Sequence, residues 1–344
     1  MGKYDALTRH LSRAVVTRTP KPSLFAAFFA NTDIHGQNIV EFDKSKFKNG
    51  IAPFVAPMVN GKPIQVAGFS NYIFKLPTMK PSGAITNEDI AKRPFGVTVY
   101  DEVAKNARAR DLVNTKVADN EDRIDVRLEA MRADVLFNGS LTVVGDGYDT
   151  TITFPRDTAN TVVLTGGDLW SATSTATPGD DIDTFLEILA ANGKTGTHII
   201  GRPNVVKYLV DAVKTETDFR RVENGGLAFQ SFLTVNGAIY YGTYKGVEIW
   251  GYSGVYKDST GATAYMIPDK KIVMLSAVND NEMSFGYAGD VEIELNLADE
   301  YTMSPRNVIT KLIGERNSVE IESVLTAAPL LKDGDSTLVA TVIA

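Results

Sequence analysis

Arg123-Ile124-Asp125-Val126-Arg127-Leu128-Glu129-Ala130-Met131-Arg132-Ala133-Asp134-Val135-Leu136-Phe137 is the stretch on which the fold turns. With Val117 it sets Ile124, Leu128, Met131 and Val135 at spacings of three, four and seven residues, which places them on one stripe of a helix. The pattern predicts a helix from about Leu112 to Asn138, stopped by Gly139 as a C-terminal glycine stops a helix. It is longer than the average globular helix of about 11–12 residues. Its other face alternates acidic and basic side chains, with Asp119 and Arg123 as an i, i+4 pair. One side therefore belongs to a core and the other to solvent.

Upstream, Ile51 to Lys92 is rich in proline, glycine and β-formers. Asn60-Gly61 separates two extended runs and supplies the positive φ angles of a type I′ turn, with Lys62 following, so a hairpin is expected there. Pro53, Pro57 and Pro63 remove ladder donors, which suits a projecting hairpin better than a central strand. Before it, Met1 to Phe47 reads as an arm: Lys3, Arg9, Arg13, Arg18 and Lys21 face only Asp5 in its opening stretch. Phe25, Phe28 and Phe29 give that arm an apolar load and are expected to contact a neighbouring subunit. Read instead as the core of a signal peptide, the same run is at the short limit.

Downstream the chain turns to strands. Leu141–Val144 and Thr150–Phe154 flank Gly145-Asp146-Gly147 as a hairpin. A helix carries Ile182, Phe185, Leu186 and Leu189 behind an Asp180 or Asp181 cap. Thr197–Ile200 reads as a buried strand, and Pro203 opens a helix with Val206, Leu209, Val210 and Val213. Strands are expected at Ala238–Tyr241, Val247–Trp250 and Lys271–Leu275. In the tail, Val319 and Ile321 alternate with glutamates, and Leu338–Ile343 is the last strand.

Composition narrows the chemistry. The chain has 344 residues, no cysteine, three histidines and a net charge of −7. Thiol catalysis and cysteine-based zinc sites are thereby excluded, and an acidic total argues against phosphate binding as the main task. No apolar run approaches the ~18–20 residues needed to span a bilayer. Gly193-Lys194-Thr195 lacks the glycine five places earlier that a phosphate loop requires, since that position is Ile188, and it reads as a surface turn. Gly251-Tyr252-Ser253-Gly254 is one residue short of a nucleophile elbow and reads as a hairpin turn. His10, His35 and His198 have no partner at ligand spacing, and His198 is expected to be a hydrogen-bonded core residue. No catalytic, cofactor or metal site is expected.

The residues do, however, resemble a family. Phe54 to Ile64, Arg123 to Phe137, Pro178-Gly179-Asp180-Asp181-Ile182 and Tyr244 to Ile249 with Tyr252-Ser253-Gly254 are similar, in order and spacing, to the lambda-type phage major capsid proteins of the capsid protein E family. Pro268-Asp269, Val273-Met274-Leu275 and Ala328-Pro329-Leu330-Leu331 complete the likeness. The resemblance implies an α+β, Hong Kong 97-type capsid fold. Its parts would be an N-terminal arm over 1–47, an extended β-hairpin loop over 48–94 and a peripheral domain with a long spine helix over 95–170. An axial α/β domain over 171–304 would follow, and 305–344 would return to the peripheral domain. It further implies a structural subunit, not an enzyme, that assembles in the host bacterial cytoplasm into the icosahedral capsid of a tailed-phage virion. Pentamers and hexamers of the chain would enclose double-stranded DNA without sequence-specific binding. Scaffold, portal and decoration proteins would be partners, and membranes would not. A tail-tube protein is the alternative reading, with an α/β enzyme more distant and a secreted adhesin cleaved near Ala30 behind both.

Overall fold

The computed structural model describes residues 23–45, 69–91, 102–145, 148–220, 237–258, 261–287, 300–303, 308–314 and 318–344. The hairpin turn expected at Asn60, Gly61 and Lys62, and the basic part of the arm, lie outside the described residues. A 3-10 turn at Phe25–Phe28 precedes β1 (Asn31–Ile34) and β2 (Ile39–Ser45). β3 (Phe69–Lys75), β4 (Thr78–Met79), β5 (Ser82–Thr86) and a short helix, Asn87–Ala91, come before the long helix Glu102–Asn138. Then follow β6 (Ser140–Gly145), β7 (Tyr148–Thr153), β8 (Thr161–Val163), helix Pro178–Ala191, β9 (His198–Gly201) and helix Pro203–Val213. β10 (Phe219–Arg220), β11 (Ala238–Tyr244), β12 (Val247–Tyr252), β13 (Val255–Lys257), β14 (Thr263–Tyr265) and β15 (Lys271–Leu275) come next. The chain closes through β16 (Glu282–Phe285), β17 (Glu300–Met303), β18 (Ile309–Gly314), β19 (Ser318–Leu330) and β20 (Thr337–Thr341).

Two mixed sheets organise these elements. In the first, the order is β1-β16-β19-β18-β17, and β4 and β5 also pair with β19. In the second, it is β10-β11-β12-β9-β15-β20-β8. The second sheet is buried on both faces because its central strands are apolar throughout. Alternation then splits each strand between two cores. Ile199, Ile272, Met274 and Leu338 pack with Ile182, Phe185, Leu189, Val206 and Leu209 of the two shorter helices. Their neighbours Ile200, Val273, Leu275 and Val339 pack on the opposite side, in the cluster that holds Ile124, Leu128, Met131, Val135 and Phe137 of the long helix.

The expected stripe is buried as its spacing requires, with Ile124 and Val135 at 1% and 0% exposure. The helix itself starts ten residues earlier than the apolar periodicity indicates. Its first ten residues, Glu102 to Asp111, hold alanine, arginine, lysine and glutamate, strong helix formers that carry no stripe to read. The C-terminal stop is Gly139, at φ +66°, whose N–H bonds to the Val135 carbonyl at 2.9 Å. The N-cap position of helix Pro178–Ala191 falls not on Asp180 or Asp181 but on Thr177, which makes no side-chain cap bond, because Pro178 takes the first helical position and the aspartates fall in the first turn.

Two expectations about extended parts are corrected. Thr78–Met79 and Ser82–Thr86 do not project: they bond to Leu325–Thr326 and Ser318–Glu322 of β19. Ser23 to Ile34 is not a free arm, since the phenylalanine turn is buried and β1 lies parallel to β16. Ser253-Gly254, moreover, is a link and not a hairpin turn: β12 pairs with β11 and β9, whereas β13 pairs with β14.

Leu128→Ala should lower unfolding free energy by about 2–5 kcal/mol, the range for emptying a buried leucine site. Gly139→Ala should cost about 1–2 kcal/mol through its left-handed backbone alone, because the new methyl would sit at an ordinary 3.5 Å from Arg156. Denaturant titration followed by far-UV circular dichroism measures both.

Candidate functional site

The N-terminal segment is locked to the long helix by one buried carboxylate. Glu129, 4% exposed, accepts the Phe25 N–H at 3.1 Å and the Ser23 hydroxyl. Arg132, one turn on, lies 3.6 Å from the same carboxylate and donates to Ser23 Oγ at 3.2 Å. A buried charge persists only when so paired. Around this anchor Phe25 meets Phe137 and Tyr252 edge-on, at 6.2 and 5.6 Å between ring centroids, and Phe28 meets His198 at 5.3 Å. Phe25, Phe28 and Phe29 are thus 0%, 2% and 3% exposed within their own chain. The expectation that they contact a neighbour is corrected: three large rings find enough apolar surface on the helix and β12 to be buried locally. Burial, with Glu129 nearby, also pushes the Tyr252 hydroxyl well above its ordinary value.

The C-terminal end of the helix, about two turns beyond Glu129, is held by Arg156. Its guanidinium donates to the Leu136 and Val135 carbonyls at 2.5 and 3.4 Å, and to Thr337 Oγ1 at 3.1 Å. Burial lowers its pKa to about 10. A cation at these last carbonyls complements the helix dipole, and the bond to Thr337 ties the helix end to β20.

His198 is the core histidine its strand suggested. Its Nδ1 is 2.7 Å from Thr197 Oγ1 and its Nε2 3.5 Å from a Glu248 carboxylate that also accepts from Trp250 Nε1 at 2.9 Å. Burial lowers its pKa, against the opposing pull of Glu248. Ser253 is exposed, and its hydroxyl donates to the Gly237 carbonyl at 3.1 Å. Lys194, in the expected surface turn, is ion-paired to Asp333. None of these geometries sets a nucleophile beside a base.

One cluster has the donor set of a cation site: ligand atoms of Asp33, His35 and Glu282 all lie within 4.8 Å of one another. The site's charge is already balanced in part. Glu282 is paired with Lys332 at 2.6 Å and accepts from Ser284 at 3.0 Å, so its chemistry is that of an ion-pair lattice joining β1 to β16.

Exposed apolar side chains are concentrated elsewhere. On the outward face of the β2–β3 hairpin, Ile39 and Ile73 are 55% and 65% exposed. Beside the middle of the long helix runs a groove of about 860 Å³, lined by Met79, Val143, Val144 and Val255 together with Lys80, Arg123, Arg127 and Lys257. Sequence reasoning singled out neither Glu129 nor Arg156 nor this cation cluster. Glu129 carried one legible signal, a carboxylate flanking the apolar stripe with Arg132 three residues on; the others are assembled from segments distant in sequence.

The long capped helix between two mixed sheets is the arrangement of the Hong Kong 97-type fold. Residues 6–331 match the phage major capsid protein E family, and the chain belongs to it. It is 24% identical over 275 residues to the major capsid protein of Enterobacteria phage P21 and to the P21 prophage-derived major head protein of Escherichia coli O6:H1, covering 77% of this chain and 78% of each relative. In structure it resembles a prophage protein of E. coli CFT073 assigned to the capsid (TM-score 0.71, 17% identity, 99% and 98% of the two chains). It also resembles the capsid subunit of cyanophage A-1(L) (TM-score 0.56, 14% identity, 93% and 92%). The work of this family is structural, in the head of a tailed phage.

Replacing Glu129 by alanine should cost about 3 kcal/mol, as removal of one partner from a buried ion pair does, and should expose Ser23–Phe29 to limited proteolysis. His198 makes stability depend on pH with a definite sign. Its folded pKa lies below the ordinary 6.5, so the folded state binds the proton less well than the unfolded one. Stability is full above pH 6.5 and is lost as the pH falls below it. The stability advantage of wild type over His198→Gln should therefore shrink between pH 7 and 5; a constant difference would refute the assignment.

Proposed function

We propose that copies of this chain close into an icosahedral shell around double-stranded DNA, as pentamers and hexamers of one subunit. The observation that carries this reading is the exposure of large apolar side chains on a well-packed chain: Ile34, Ile39, Ile73, Val144 and Val278 are between 55% and 79% exposed. Ile39 and Ile73 share one face of the β2–β3 pair, and a contiguous exposed apolar face marks association. Closed symmetry lets one set of patches be used by every copy, and many weak contacts made together suffice because each raises the effective concentration of the next.

In this reading the sheet that carries helices Pro178–Ala191 and Pro203–Val213 gathers around the five-fold and six-fold axes. The long helix and the β19 sheet form the wall between them. The extended segment, with Asn60, Gly61 and Lys62 at its expected turn, reaches the adjacent subunit. An acidic chain of net charge −7 holds packaged DNA without gripping its phosphates. Assembly takes place in the bacterial cytoplasm, with scaffold, portal and decoration proteins as further partners.

The purified chain, alone or co-expressed with a scaffold, should give icosahedral particles or rings of five or six subunits in negative-stain images. Its sedimentation profile should show the same species. A strict monomer at high concentration under both conditions overturns the proposal.

A further inference from the structure

We propose that Asp33, His35 and Glu282 bind a divalent cation of the zinc class, which clamps edge strand β1 onto β16. The site lies within one chain and does not depend on how copies assemble.

Strand geometry gathers the donors. β1 runs parallel to β16 with Asn31 beside Glu282 and Asp33 beside Ser284. Residues two apart on a strand share a face, as do cross-strand partners, so Asp33, Glu282 and Ser284 point to one side of the sheet. His35 follows on the same side. Its N–H bonds the Phe285 carbonyl at 2.8 Å, and its Nε2 lies 3.7 Å from Asp33 Oδ2 and 3.4 Å from Ser284 Oγ. Ligand atoms of Asp33, His35 and Glu282 all fall within 4.8 Å of one another. Around a tetrahedral zinc ion with bonds of about 2.0–2.1 Å, neighbouring ligand atoms stand ~3.4 Å apart. Small side-chain rotations therefore close the set, and water can take the remaining position.

Charge balance calls for a further cation. Two carboxylates this close repel each other unless positive charge lies beside them. Lys332 supplies one such charge, 2.6 Å from Glu282 Oε1. With a neutral imidazole, the ion-pair lattice of Asp33, Glu282 and Lys332 still keeps one negative charge in excess. Ser284 bonds the same Glu282 oxygen at 3.0 Å. The other oxygen of this carboxylate, on a residue only 7% exposed, has no hydrogen-bond partner among the described residues. A buried charged group left so is costly, and a metal ion satisfies it. Ser284 and Lys332 are then the outer groups that orient a ligating carboxylate. Two carboxylates and an imidazole suit zinc and its transition-metal neighbours, whereas calcium and magnesium are held by oxygen ligands. The clamp has a strand to hold: all four residues of β1 are exposed, and among the described residues it pairs with β16 alone.

Isothermal titration of the untagged full-length chain with zinc chloride is the test. One ion per chain should bind, about tenfold or more tightly than magnesium or calcium. Asp33→Asn and His35→Gln, both at partly exposed side chains, should each weaken binding by about 10–100-fold, while circular dichroism shows the wild-type fold. His10→Gln should leave the affinity unchanged. Hydrogen exchange gives the clamp its own readout. With zinc at ten times its Kd, the amides of Asn31–His35 should exchange roughly tenfold more slowly, and His35→Gln should remove that protection. No zinc binding at millimolar concentration overturns the site, as does binding that survives both ligand variants or falls with His10. Equal affinity for magnesium overturns the zinc class, and binding without slower exchange in β1 overturns the clamp.

Discussion

Strand β19 has thirteen residues of main chain to satisfy, and most of the first sheet exists because it does so. Its N-terminal half bonds β18 and β5, its C-terminal half β16 and β4. A buried strand cannot leave N–H and C=O groups unpaired without a cost comparable to the hydrogen bonds themselves. Four strands from three parts of the sequence, 78–86, 282–285 and 309–314, are therefore recruited to one strand. The long helix is attached to it by Asn120, which donates to the Ile321 carbonyl at 3.0 Å. Where β19 ends, the chain turns through Asp333–Ser336 and becomes β20, a strand of the other sheet. The two sheets are thus joined through consecutive strands of one chain segment.

This junction is also where the helix is fastened. Gly334 passes so close to Pro155 that a Cβ would lie 2.1 Å from the Pro155 carbonyl oxygen, and Arg156, the next residue, caps the helix and bonds Thr337. About two turns before that cap, Glu129 holds the Ser23–Phe28 turn. A helix pinned at its end by a buried cation and along its side by a buried anion can act as a rigid beam. Its exposed arginines are then held at a constant spacing, which a surface that must match another copy requires.

The functional surfaces follow from what the interior does not use. Strand alternation sends half of β2 and β3 inward and half outward, and in most single-chain proteins the outward half is polar. Here it includes Ile39 and Ile73, and the groove includes Val144 and Val255. The family to which the chain belongs builds virion heads, and such side chains are the expected remainder on a subunit whose burial is completed by its neighbours.

The sequence by itself determined what depends on near neighbours: the Ile124–Val135 stripe, the Gly139 stop, the β6–β7 hairpin and the buried character of β9 all rest on periodicity or backbone preference within a few residues. His198 could be placed in the core for the same reason. The helix start was not legible, because Glu102–Asp111 has helix propensity without an apolar period. Only the tertiary structure decided the fate of Phe25, Phe28 and Phe29, which a sequence shows as apolar but cannot show as already covered. Likewise the cap supplied by Arg156, the lock made by Glu129 and the gathering of Lys80, Arg127 and Lys257 depend on segments far apart in the chain. Their contacts are set by packing, and packing is a property of the whole chain that no local window of residues contains.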